Sequence, residues 1–88
     1  MAVMPKGTAP TPGPLSRAVS AEIRQAMARQ RISGTELARM TGRSQGYISK
    51  RLRDESSFTT NDVADIVEAL GVDLMSFVHA VVVASRRM

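Results

Sequence analysis

Eleven consecutive residues, Arg43-Ser44-Gln45-Gly46-Tyr47-Ile48-Ser49-Lys50-Arg51-Leu52-Arg53, hold four cationic side chains, one carboxamide and no carboxylate. The set is poor in groups that break bonds and rich in groups that recognise a polyanion. The Gln45 carboxamide can pair with adenine N6 and N7, and Lys50 can donate to guanine O6 and N7. Gly46 has no side chain to hold a backbone away from a duplex. Ser49 follows Gln45 by four residues and shares its face in a helix. Arg43 and Ser44 stand where a phosphate would meet free amides and a positive helix end. Thr35, Thr60 and Asn61 occupy comparable positions at the starts of neighbouring elements and offer further phosphate contacts. Arg53, like Lys50, suits solvent or phosphate better than a base edge. Tyr47 is expected to pack, with its hydroxyl at the DNA edge. Arg51 is expected to pair with Glu55.

The rest of the composition excludes other chemistries. The 88 residues contain no cysteine and a single histidine, His79. That removes disulfides, thiolate zinc sites, thiol nucleophiles and multi-histidine metal sites. The carboxylates lack the histidine or metal spacing an active site would need, and no glycine-rich loop follows a strand. The chain therefore reads as a non-enzyme, with no cofactor, metal or small-molecule ligand expected. Only three aromatic residues are present, too few for recognition of single strands by stacking. No apolar run approaches the ~20 residues that span a bilayer, and MAVMPKGTAP is not a signal peptide. A cytoplasmic location, in bacterial cytoplasm or nucleoid, is expected.

Charge is segregated along the chain. Residues 15–53 carry eight Arg and Lys50 against Glu22 and Glu36, a net +7. Residues 54–85 carry six acids and no base. One half suits a polyanion and the other repels it.

The elements that must position these groups are helical. Residues 1–14 contain all four prolines and no apolar periodicity, which predicts a flexible N-terminal tail ahead of a single domain over 15–88. Val19, Ile23, Ala26, Met27 and Gln30 share a helical face, predicting a first helix over about 16–30 with Ser16 as its cap. Ser33-Gly34-Thr35-Glu36 is a capping box that opens a helix over 34–41, and Gly42 ends it. Ser44 caps a third helix over 45–53. A polar loop follows, with Phe58 as its apolar anchor. Thr60 is expected to cap a fourth helix over 61–70, with the stripe Val63, Ile66, Val67, Leu70 and a stop at Gly71. Asp73 caps a fifth over 74–85. The strand propensity of Val81-Val82-Val83 is outweighed by the helical spacing of Leu74, Phe77, Val78 and Val81.

Two short helices around a glycine turn make a helix-turn-helix. Ala38 falls where the helices cross, Gly42 four residues later, and Ile48 ten residues after Ala38. Leu37-Ala38, Gly42, Ser44-Gln45-Gly46-Tyr47-Ile48-Ser49 and Ala69-Leu70-Gly71-Val72-Asp73-Leu74 together resemble the Cro/phage-repressor (XRE-type) helix-turn-helix family, over about residues 16–78. The resemblance implies an all-α, five-helix DNA-binding domain, usually dimeric, acting as a transcriptional repressor or lysis–lysogeny switch of a phage or prophage. The chain departs from the family pattern at Gly34, where Gln is frequent, and at Arg51, where an apolar residue is frequent; Leu52 is expected to take over that packing.

The competing reading is a protein-interaction module of the same fold, such as an antitoxin that binds a toxin through the acidic residues Asp62, Asp65 and Glu68. On either reading the last helix has more apolar surface than one core-facing stripe needs. Met75, Val78, His79, Val82 and Val83 are the expected interface of a symmetric homodimer, with double-stranded DNA as the expected partner.

Overall fold

In a computed structural model, which describes residues 11–87, five helices follow one another: α1 (Pro14–Gln30), α2 (Gly34–Thr41), α3 (Gln45–Leu52), α4 (Thr60–Leu70) and α5 (Leu74–Ser85). The expected tail lies mostly outside the described residues, but its last residue, Pro14, belongs to α1. Proline is favoured at a helix's first position because its missing N–H has no partner there anyway. Gly13 is the N-cap of α1 and makes no side-chain cap bond. Ser16, expected to cap, lies inside the helix and donates its hydroxyl to Ser57 Oγ at 2.8 Å.

The other starts follow the local chemistry. The Glu36 amide donates to Ser33 Oγ at 3.1 Å. The Glu36 carboxylate faces Arg39 at 3.6 Å, so the structure makes this half of the expected capping box. At α4 the cap is Thr59, one residue before the expected Thr60. The reason is Asp62: it stands three residues after Thr59 and can accept from the Thr59 amide, whereas Val63, three after Thr60, has no acceptor. Here both arms form, Asp62 N to Thr59 Oγ1 at 3.0 Å and Thr59 N to Asp62 Oδ2 at 2.9 Å. Gly42 and Gly71 end α2 and α4 at φ 68° and 65°, a region where a Cβ is unfavourable.

The core gathers one stripe from each helix. Ala18, Ile23, Ala26 and Met27 of α1 meet Leu37 and Ala38 of α2, Ile48 of α3, Ile66, Val67 and Leu70 of α4, and Phe77 and Val81 of α5. Phe58 and Leu52 pack against this cluster, as the sequence implies for both. Helix α1 lies along α5, while α2 packs on α3 and α4. Burying each large aliphatic chain contributes about 1.5–3 kcal/mol, so Ile48, fully buried, ties α3 to the core. One expectation for α5 is corrected. Helical spacing groups Leu74 and Val78 with the core residues Phe77 and Val81, but Leu74 is 50% exposed and Val78, which is also in the expected dimer interface, 42%.

Candidate nucleic-acid interface

Helix α3 begins with Ser44, whose hydroxyl accepts from the Tyr47 amide at 3.1 Å. The Ile48 amide donates to the Ser44 carbonyl. The amides of Gln45 and Gly46 come before any intrahelical acceptor and point out of the helix start. The same holds for Gly34 and Thr35 behind Ser33, and for Thr60 and Asn61 behind Thr59. Three helix starts thus carry free donors and a positive dipole end.

Asp62, 2% exposed, links two of those starts. Its Oδ1 accepts from Arg43 Nε at 2.7 Å. Its Oδ2 accepts from the Tyr47 hydroxyl at 2.8 Å and from the Thr59 amide at 2.9 Å. The starts of α3 and α4 are therefore tied together through side chains, Tyr47 reaching across to Asp62. Burial by itself would raise the Asp62 carboxyl; the Thr59 amide, the Tyr47 hydroxyl and the Arg43 guanidinium outweigh it and hold the group below the usual carboxylate range.

This centre engages two residues that the sequence assigned to the DNA face, Arg43 and Tyr47, and a third, Arg51, that it assigned to Glu55. Arg43, expected to touch a phosphate, has each guanidinium nitrogen engaged inside the protein: Nε with Asp62, Nη2 with Asp65 at 2.8 Å, and Nη1 with the Thr41 carbonyl at 2.8 Å. Those partners, Asp65 first and Asp62 next, raise its pKa further. The Tyr47 hydroxyl is turned to Asp62 rather than to the DNA edge. Arg51 does not pair with Glu55. Its guanidinium carbon lies 3.4 Å from the Tyr47 ring centroid, and its Nη1 donates to the Tyr47 carbonyl at 3.0 Å. Its Nε is buried without a hydrogen-bond partner, 3.9 Å from Asp62 Oδ2. Glu55 is instead held by Arg53, Nε to Oε2 at 2.6 Å, which lowers the Glu55 carboxyl.

The C-terminal end of α3 is fastened separately. Arg24 Nη1 donates to the Leu52 carbonyl at 2.5 Å, and buried Ser20 donates to Asp54 Oδ1 at 2.6 Å. The sequence reading missed both this clamp and the Asp62 centre. A Thr-x-x-Asp capping pattern at 59–62 was a legible signal for part of the latter.

What remains outward on α3 is Gln45, Gly46 and Lys50, all exposed, with Ser49 half-buried and Arg53 exposed beside Glu55. Thr35, Ser44, Thr60 and Asn61 are exposed at the helix starts. A Cβ built on Gly46 would meet nothing within 4 Å, so the protein's own packing does not require glycine there. On α5, Met75 is 72% exposed, Val78 and His79 are exposed, and Val82 and Val83 are half-buried. Among the described residues, no three His, Asp or Glu side chains gather as a metal site, and no helix is long and apolar enough to cross a membrane.

The geometry matches known proteins. Crystal structures of the clp gene regulator ClgR from Corynebacterium glutamicum are similar. One is 26% identical with a TM-score of 0.73, covering 89% of this chain and 99% of that one. A second, at 24% identity and a TM-score of 0.76, covers 89% and 82% respectively and shows the shared fold. No curated protein matches the chain. Residues 23–77 match the family described as helix-turn-helix, a span that contains α2, α3, the Asp62 centre and all of α4. The chain belongs to the XRE-type helix-turn-helix family of DNA-binding transcriptional regulators.

Proposed function

We propose that the chain is a sequence-specific regulator of the Cro or repressor kind, from a phage or prophage, that binds operator half-sites as a dimer with α3 in the major groove. The observation that carries this reading is the division of labour on α3. Arg51 and Tyr47 turn inward, while Gln45, Gly46 and Lys50 are left outward at a helix start that ends in free amides. In this reading Gln45 and Ser49 address base edges, and Lys50 and Arg53 address bases or phosphates. Ser44, Thr35, Thr60 and Asn61 bind phosphates through hydroxyls, the Asn61 amide side chain and free backbone amides. Arg43 is reassigned from phosphate ligand to brace, because its guanidinium already has three internal partners.

The dimer reading is supported by an apolar surface that α5 shares with α1 and α4. Leu15, Val19, Val63, Leu74, Val78 and Val82 border one open groove between α1, α4 and α5, and Met75, the residue after Leu74, is 72% exposed. Exposed apolar surface of this kind marks an interface, and a two-fold pair would present two α3 helices to half-sites one DNA turn apart. The toxin-binding alternative loses its main support, since Asp62 and Asp65 already hold Arg43.

Selection of duplexes from a random pool, followed by anisotropy titration, tests the proposal. The expected outcome is a consensus with two half-sites and a log–log salt slope well below zero, since phosphate neutralisation releases counterions. Gln45→Ala is expected to cost about 1–3 kcal/mol on the consensus and to relax preference at one base pair. No consensus, or a salt slope near zero, would overturn it.

A further inference from the structure

Ile48 and Leu52 fix how deeply α3 sits on the core, but apolar contacts alone define the rotation of a short helix about its axis poorly. Rotation decides what the helix reads. Successive residues in a helix are about 100° apart. Tyr47 is two residues after Gln45 and two before Ser49, so it projects from the side opposite both. Arg51, four residues after Tyr47, lies on the Tyr47 side and stacks on its ring. Any turn of Tyr47 about the helix axis turns Gln45 and Ser49 through the same angle. Functional side chains tolerate only about 10–20° of misalignment.

We infer that Asp62 is a positioning residue for recognition: through the Tyr47 hydroxyl and the Arg51 guanidinium it sets the rotation of α3, and so determines which base edges Gln45 and Ser49 meet, without touching DNA itself. The geometry is specific to this centre. The Asp62 carboxylate is itself fixed to the α4 start by the Thr59 amide and to the helix turn by Arg43 Nε. Its second oxygen reaches Tyr47 at 2.8 Å. Arg24, holding the Leu52 carbonyl, supplies the second point that a rotation requires. Two fastenings at opposite ends of eight residues define both the tilt and the turn of the helix. The inference rests on the DNA-reading function proposed above.

Tyr47→Phe tests it with the least disturbance, because the ring, its packing and its contact with Arg51 remain while the hydroxyl bond to Asp62 is removed. Asp62→Asn in the full chain is the second variant. Two readouts separate the bracing from the reading. Amide hydrogen exchange of the DNA-free protein reports the bracing; faster exchange confined to α3 and the first turn of α4 is expected. Anisotropy titration against the duplex that the wild-type protein selects, and against a scrambled duplex of equal length, reports the reading. The ratio of the two affinities is expected to fall about five- to tenfold for Tyr47→Phe, the scale of one ordinary net hydrogen bond, with scrambled-duplex affinity and salt slope unchanged. Unchanged exchange in α3 overturns the inference whatever the DNA shows. Faster exchange with an unchanged affinity ratio also overturns it, reducing Asp62 to a part of the fold. If the wild-type protein selects no duplex while Tyr47→Phe still loosens α3, the brace stands and the proposed DNA reading is what fails. Should Asp62→Asn not fold, Tyr47→Phe decides alone.

Discussion

Replacing Gly46 by alanine should move stability and DNA affinity in opposite directions. Gly46 is the second residue of α3, and a Cβ there would meet nothing within 4 Å. The folded protein therefore accommodates the methyl group without a clash. Alanine also removes the extra backbone freedom that glycine has in the unfolded chain, worth roughly 0.5–1 kcal/mol inside a helix. In a first turn we take the lower end, about 0.5 kcal/mol, which for a domain of this size raises Tm by about 2–4 °C. The same methyl group stands on the outward face, between the free amides of α3 and any duplex against it. If the backbone approaches DNA as closely as a bare residue permits, the helix must retreat, and affinity for the selected duplex should fall at least about tenfold, or about 1.4 kcal/mol. Thermal melting by circular dichroism and anisotropy on the selected duplex measure the two effects on one sample. A fall in Tm would refute the spatial reasoning. A risen Tm with unchanged affinity would refute the close approach of α3.

Arg43→Gln should leave the salt slope of DNA binding unchanged and lower stability by about 1–3 kcal/mol, the cost of leaving a buried carboxylate short of a partner; a slope reduced by about one in a salt series would restore Arg43 as a phosphate ligand. Because Asp62 is held below its ordinary value in the folded state, its contribution is fully present above the unfolded carboxylate pKa and is lost as pH falls through the lower folded value. Denaturant midpoints should accordingly drop below about pH 4 in the wild type, and Asp62→Asn should flatten that part of the profile. Met75→Glu alters a side chain that is 72% exposed, so the monomer should still fold while sedimentation at micromolar concentration shifts from dimer to monomer, Tm loses its dependence on protein concentration and affinity for a two-half-site duplex falls; a wild-type chain already monomeric there would remove the α5 interface.

Sequence alone determined the elements, because their signals act within four residues. Ser33, Ser44 and Asp73 cap helices from the side chain to an amide three positions on, and Gly42 and Gly71 end helices by adopting a conformation that other residues avoid. The turn at Gly42, with Ala38 and Ile48 on either side, made the helix-turn-helix legible, and Gln45, Gly46 and Lys50 do lie on its exposed side. The cap of α4 slipped by one residue because two threonines compete and only Thr59 has an acceptor three residues later. What the sequence left undetermined is where the long polar side chains turn. Tyr47 and Arg43 lie 15 and 19 residues from Asp62, and which of several arginines a carboxylate meets depends on how α2, packed on both α3 and α4, sets those two helices relative to each other. A chain whose charges are segregated along its length thereby folds Arg43 and Arg51 of the basic half onto Asp62 and Asp65 of the acidic half. The same reason governs α5: helical spacing puts Leu74 and Val78 on the stripe with Phe77 and Val81, but only the reach of α1 and α4 across that stripe decides which of the four are covered.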